Sequence, residues 1–188
     1  MNKPPIFYLD TNIIRDVMRR RPTKSGYWLQ RIEENKWKCC TSIYGLMELL
    51  DLEQDHEFVQ KRLARNQDFD KIFREKYRRD LTSSEFQTSK QLIDGFLTEK
   101  KFIDVVTLND AGWKLALHIA ANSNIFTPDA IHLATAWQNN ADILLTNDGH
   151  LVKEGTEVLK SEKMEKELKL CESDKLSKLL QNMKVKMK

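Results

Sequence analysis

A chain of 188 residues suits one domain with room for an appendage, long enough to close a hydrophobic core without a disulfide or structural metal. Hydrophobic residues at 40% and charged residues at 31% describe a solvated globular protein, and no apolar run nears the roughly 20 residues of a membrane helix. A net charge of +3 is too small to name a partner, and three cysteines, adjacent Cys39 and Cys40 with remote Cys171, make no disulfide framework, so a reducing, cytoplasmic setting is expected.

The opening Met1–Pro5 lacks the basic-then-apolar pattern of a secretory leader. Ile6-Phe7-Tyr8-Leu9 is a short apolar run that predicts a buried strand. It leads into a helix with Ile13, Ile14, Val17 and Met18 on one face, closed by Arg19-Arg20-Arg21. Trp37–Thr41 predicts a second strand, followed by Ile43, Leu46, Met47 and Leu50 at helical spacing. From about Asp55 to Lys101 the alternation pauses for an inserted helical hairpin. Its first arm carries Val59, Leu63, Phe69, Phe73 and Tyr77 as one stripe. Its second opens with Thr82-Ser83-Ser84-Glu85, a capping box, and carries Phe86, Ile93 and Leu97.

Phe102–Leu108 predicts a third strand, and Asn109 caps a helix carrying Trp113, Leu115, Ala116 and Ile119. Thr127-Pro128 begins another helix, since proline at the first helical position forfeits no hydrogen bond. Ile143–Thr146 predicts a fourth strand and Glu157–Leu159 a short fifth. Residues 161–188 form a lysine-rich, amphipathic helical extension, with Met164, Leu168, Cys171, Leu179 and Met183 at helical spacing, appended to a domain of residues 1–160. Strand–helix alternation of this kind predicts a parallel sheet covered on both faces.

Four of the 28 acidic residues stand out by position. Asp10 ends the first strand, Asp148 follows the fourth in Thr146-Asn147-Asp148, Asp129 lies in the first turn of the helix that Pro128 begins, and Glu48 lies one turn into the helix after the second strand. The carboxyl ends of parallel strands open onto the ligand crevice, so these acids are expected at one edge. Each alone also reads as a cap, a turn residue or a surface acid; their convergence favours a site. Hard divalent ions take oxygen ligands, and a cluster of carboxylates approached by a polyanion needs such an ion between them.

In that order the motifs resemble the PIN-domain ribonucleases: Leu9-Asp10-Thr11-Asn12, Met47-Glu48-Leu49, Pro128-Asp129-Ala130-Ile131-His132-Leu133-Ala134 and Leu144-Leu145-Thr146-Asn147-Asp148. The resemblance spans about residues 5 to 160. It implies a three-layer α/β/α fold on a parallel sheet of about five strands, and cleavage of RNA with Mg²⁺ or Mn²⁺. By the motif match, Asp10, Glu48, Asp129 and Asp148 are the catalytic and metal-site acids, with Asn12, Thr146, Asn147 and His132 in support. A VapC-like toxin role implies a cognate antitoxin, and a homodimer is a further partner expectation. Gly45 departs from the pattern, standing where a hydroxyl residue is common, and the hairpin and tail are long.

The basic run from Lys61 to Arg79 is read as an RNA-contacting surface through Arg74, Arg78 and Arg79, against the plainer reading of a solvated helix face. His132 reads as a packed histidine or one that orients a carboxylate; His150 is close enough in sequence to Asp148 to compete as a ligand. Trp28, Trp37, Trp113 and Trp137 read as packing residues before base-stacking ones. A haloacid-dehalogenase-like phosphatase requires a second acid where Asn12 stands, and a phospho-receiver requires paired acids before Asp10. A catalytically weak RNA- or protein-binding module and an RNA-processing nuclease without antitoxin remain as alternatives.

Overall fold

The computed structural model describes residues 3–162 and 168–185, with Arg78 described in its backbone alone. In chain order the elements are β1 (Phe7–Leu9), α1 (Thr11–Met18), α2 (Ser25–Glu34), β2 (Cys39–Ser42), α3 (Ile43–Leu63), α4 (Phe69–Glu75), a 3₁₀ turn (Lys76–Arg78), α5 (Ser83–Glu99), β3 (Ile103–Val106), α6 (Asp110–Asn122), α7 (Thr127–Gln138), β4 (Ile143–Thr146), α8 (Gly149–Ser161), β5 (Lys169–Glu172) and α9 (Leu176–Asn182). They form two compact units, Met1–Gly45 with Phe102–Lys188, and Leu46–Lys101.

The first unit is built on a five-stranded sheet in the order β3-β2-β1-β4-β5, parallel at every pairing. Every residue of β1, β2 and β4 is buried. Because side chains alternate between faces, such strands require cover on both sides, the three-layer arrangement expected of an apolar parallel sheet. One core cluster gathers Tyr8 and Leu144 of the sheet with Ile119, Leu133, Leu151 and Val158 of α6, α7 and α8. On the far side of Phe7, Trp37 stacks on its ring at 5.6 Å, and Trp28 is 2% exposed, so both tryptophans are core.

The strand order fixes where a ligand belongs. From central β1 the chain winds outward through β2 and β3, then returns to the other side of β1 as β4. The carboxyl ends of β1 and β4 therefore flank the switch point, where open α/β sheets bind ligands. Asp10 directly follows β1, and Asp148 follows β4 by one intervening residue.

Three expectations are corrected in the first unit. Glu157–Leu159 is not a strand but the last part of α8, where Leu151, Gly155 and Val158 are buried at helical spacing. The fifth strand is Lys169–Glu172, within the stretch read as a helical extension, and pairs with β4 in register Ile143↔Lys169 to Thr146↔Glu172. Its signal is the period-two pair Leu168 and Leu170, which both pack on the core cluster. Helix does follow, in α9, with Leu176 and Leu180 buried; Met164 lies outside the described residues. Residues 19–36, to which the sequence reading assigned no further element, contain α2, with Trp28, Leu29 and Ile32 buried.

In the second unit the single stripe from Val59 to Tyr77 is broken. Asn66 adopts a left-handed φ of 55° after α3, and Asp68 starts α4 by accepting from the amides of Asp70 and Lys71. The break resets the helical phase: Phe58 and Ile72 are buried, while Leu63, Phe69, Phe73 and Tyr77 face solvent. The capping box at α5 forms as expected. Glu85 N donates to Thr82 Oγ1 and Thr82 N to Glu85 Oε2, and that Thr82 amide, with Lys61 second, holds the Glu85 carboxyl down at about 2. No described helix is long and apolar enough to cross a membrane.

Candidate active site

Asp10 is 5% exposed. Its main chain still belongs to the sheet, since Asp10 N donates to Leu145 O at 3.0 Å, while its side chain caps α1. Oδ1 accepts from Thr11 N at 2.7 Å; Oδ2 accepts from Asn12 Nδ2 at 2.5 Å and from Thr146 Oγ1 at 2.6 Å. Three donors on one carboxylate fix its rotamer.

Thr146 Oγ1 joins the two strand ends: it donates to Asp10 and accepts from Asp148 N at 3.0 Å. Asp148 is itself the N-cap of α8, accepting from His150 N at 2.8 Å and Leu151 N at 3.1 Å. Asn12 Oδ1 accepts from Asn147 N, and Asn147 Nδ2 donates to Asp16 Oδ2 and Ser25 Oγ. Asp16, 4% exposed, also meets Arg21 at 3.3 Å. Asn147 Oδ1 then accepts from Ser173 N, just past β5. Asn12, Thr146 and Asn147 thus form a scaffold linking α1, α2 and the ends of β4 and β5 beneath the two acids. Asp16, Ser25 and Ser173 escape sequence reasoning, since a buried acid on an amphipathic helix looks like any surface one.

Asp129 stands in the first turn of α7, half-buried, after Pro128. One turn on, His132 is 1% exposed and reaches Asp10: Nε2 lies 3.4 Å from Asp10 Oδ1 and 3.4 Å from Thr11 Oγ1. Its Nδ1 is 2.6 Å from Tyr8 Oη, which is 2.9 Å from Ser42 Oγ. The imidazole therefore both packs and orients, anchoring α7 to the carboxylate at the end of β1. Gly45 makes room for it. A Cβ there would come within 3.0 Å of His132 Cε1, 3.1 Å of Thr11 Oγ1 and 3.2 Å of Ser42 Oγ. The glycine that departs from the toxin pattern is thus matched to a histidine ring and two hydroxyls already filling the space.

Glu48 lies on α3, three residues past Gly45, in the second unit. Of the three arginines read as RNA contacts, Arg79 bonds Asp51, Asp55 and Gln54 at 2.8–2.9 Å, and Arg74 is exposed, its Nε donating to Asp70 O. The Arg78 side chain lies outside the described residues. Lys61 pairs with Glu85, and Arg62 with Glu75 and Asp80, so much of the basic run serves to fasten its own helices. The three thiols are buried. Burial, with Asp104 adding to it, pushes Cys40 up to about 12, and burial pushes Cys171 up to about 11, so both stay neutral at physiological pH.

Among the described residues no three His, Cys, Asp or Glu side chains form a ready metal cage. The edge instead offers separate carboxylates with fixed orientation. That donor set fits Mg²⁺, which takes one or two carboxylates and keeps water or phosphate in its other positions; it does not fit an ion that demands a full protein shell.

A doubly wound parallel sheet with oriented acids at its switch point defines a class of α/β proteins with an acidic ligand edge. Within it the chain belongs to the PIN domain family, a nuclease family, whose profile matches residues 7–154. No curated protein sequence matches it. Among solved structures it is similar to VapBC2 from Rickettsia felis bound to a DNA fragment from their promoter, with a TM-score of 0.52 and 15% identity over 89% of this chain and 98% of that one. A toxin–antitoxin complex from Klebsiella pneumoniae gives 0.42 and 18% over 75% and 85%. FitAB bound to an IR36 DNA fragment gives 0.43 and 15% over 89% and 95%.

Proposed function

We propose that the chain is a divalent-metal-dependent endoribonuclease, the toxin of a toxin–antitoxin pair, with Asp10, Asp129 and Asp148 as its metal-site acids. The observation that carries this reading is the Thr146 hydroxyl joining the Asp10 carboxylate to the Asp148 backbone at the sheet's switch point. Asp10 and Asp148 would hold Mg²⁺ or Mn²⁺, with Asp129 one turn before the histidine that steadies Asp10. The bound ion would supply an activated water and neutralise phosphate oxygens. The chain's own part is orientation: Thr11, Asn12, Thr146 and His132 hold the Asp10 carboxylate in one rotamer. Glu48 enters through the motif order alone, and Glu48→Gln tests it separately. The antitoxin comes with the toxin resemblance.

The test is cleavage of single-stranded RNA with Mg²⁺ or Mn²⁺. Hydrolysis by water leaves a 5′-phosphate and a 3′-hydroxyl. Activity that survives excess chelator, or a 2′,3′-cyclic phosphate end, rejects the mechanism. RNA binding without turnover assigns the binding-module alternative instead. Co-expression with the product of an adjoining small reading frame tests the antitoxin: a toxin is neutralised, an RNA-processing enzyme is not.

The arginines separate by geometry. Arg74→Ala removes an exposed cation and is expected to lower the salt slope of RNA binding by about one. Arg79→Ala breaks bonds to Asp51 and Asp55, so it lowers the melting temperature before it changes the slope. Equal salt slopes for wild type and Arg74→Ala return this helix to a solvated surface.

A further inference from the structure

Phe126, the N-cap residue of α7, is 66% exposed. One face of its ring is covered by the His150 imidazole, with centroids 5.0 Å apart and planes 29° apart. The two rings come from the starts of different helices, Phe126 as the N-cap residue of α7 and His150 from the first turn of α8. Phe126 is three residues before Asp129 at the start of α7, and His150 is two residues after Asp148 at the start of α8. The stack therefore bridges the two helix ends that carry two of the three acids.

We propose that Phe126, backed by His150, is a stacking platform for a nucleobase of the RNA strand beside the scissile phosphate. The inference rests on the ribonuclease reading and adds a subsite to it. The two-ring stack holds Phe126 in a set orientation, so little rotamer entropy is lost when a third ring is added. Every base has a π-face, so such a platform binds single strands with little regard to sequence. The rings stand at the helix starts that carry Asp129 and Asp148, so a strand can lay its base on Phe126 and turn its backbone toward the acids. A protein partner would use the same ring as an anchor, and the experiment separates the two.

The experiment measures steady-state cleavage of a single-stranded oligoribonucleotide in Mn²⁺ by wild type, Phe126→Ala, Phe126→Leu and Phe126→Trp. Loss of one stacked base predicts a fall in kcat/KM of about 10- to 100-fold for Phe126→Ala, carried by KM. Phe126→Leu keeps an apolar side chain but no π-face and falls nearly as far, while Phe126→Trp restores activity. Abasic substitution along the oligonucleotide finds one position next to the cleavage site that costs wild type a similar factor and costs Phe126→Ala nothing further. Thermal melts of the four proteins stay together, because the side chain is mostly in solvent.

Cleavage by wild type with Phe126→Ala or Phe126→Leu at the wild-type rate, or with a flat abasic scan, overturns the platform and leaves the ribonuclease intact. A Phe126→Ala protein that cleaves normally but escapes neutralisation by an antitoxin also overturns it, giving the ring to a protein partner. Wild type that neither binds nor cleaves RNA removes the ribonuclease reading and the platform together.

Discussion

Asp129→Asn is expected to abolish metal-dependent cleavage with the fold retained, whereas Asp10→Asn loses both cleavage and stability. Each removes a negative charge from an oxygen-only site, and the loss of rate should be on the order of 10³-fold or more. The difference lies in the hydrogen bonds. Asp10 is buried and accepts from Thr11 N, Asn12 Nδ2 and Thr146 Oγ1. An asparagine has one carbonyl oxygen, so its NH₂ group must face a donor. Asn12 cannot simply flip to accept, because its Oδ1 already receives Asn147 N at 2.8 Å. A stranded buried donor costs about 1–3 kcal/mol, and each kcal/mol lowers the melting temperature of a chain this size by roughly 2–4 °C. Asp129 is half-buried in a helix's first turn, where loss of its charge costs about 0.3–1 kcal/mol. Melts of both variants in chelator, beside cleavage assays in Mn²⁺, check the contrast. Cleavage by Asp129→Asn near the wild-type rate would make that residue a helix-end charge and sink the metal-site reading.

The positions of these acids were legible because each is announced within a few residues. A short apolar run followed by a capping Asp, or Thr-Pro-Asp opening an apolar helix, is helix-start chemistry that acts locally. Four of the five strands were legible for the same reason, Ile143–Thr146 to the residue, and the fifth was not. What stayed hidden depends on distant partners. Tyr8 and His132 are 124 residues apart in sequence, and nothing near Tyr8 marks its hydroxyl as the histidine's neighbour. Phe126 and His150 are each unremarkable alone, and their stack exists only once α7 and α8 start side by side. The aromatic stripe from Phe69 to Tyr77 failed differently. A left-handed Asn66 and an Asp68 cap interrupt the helix there, so a periodicity measured across the break turned an exposed face inward on paper.

The lysine-rich tail is where this difference has the largest consequence, and it can be tested by deletion. A helical extension would be dispensable, but a chain ending at Glu162 loses β5 and α9 and is expected not to fold. β5 supplies the outer partner of β4, whose four residues are all buried. Without it, Ile143 to Thr146 present an unpaired apolar edge, the kind that pairs between molecules. Leu168, Leu176 and Leu180 are buried, and at roughly 1.5–3 kcal/mol each their loss approaches the ~5–15 kcal/mol net stability of a whole domain. Two bonds to Ser173 go as well: Trp28 Nε1 donates to its carbonyl at 2.6 Å, and its amide donates to Asn147 in the scaffold under Asp148. The truncated chain should therefore be insoluble or melt without a cooperative transition. Trp28→Phe in the full-length protein, which strands the Ser173 carbonyl and leaves a gap, should lower the melting temperature while the fold persists. A truncated protein that melts cooperatively within a few degrees of the full chain would show that the sheet closes on four strands and that the tail is an appendage after all.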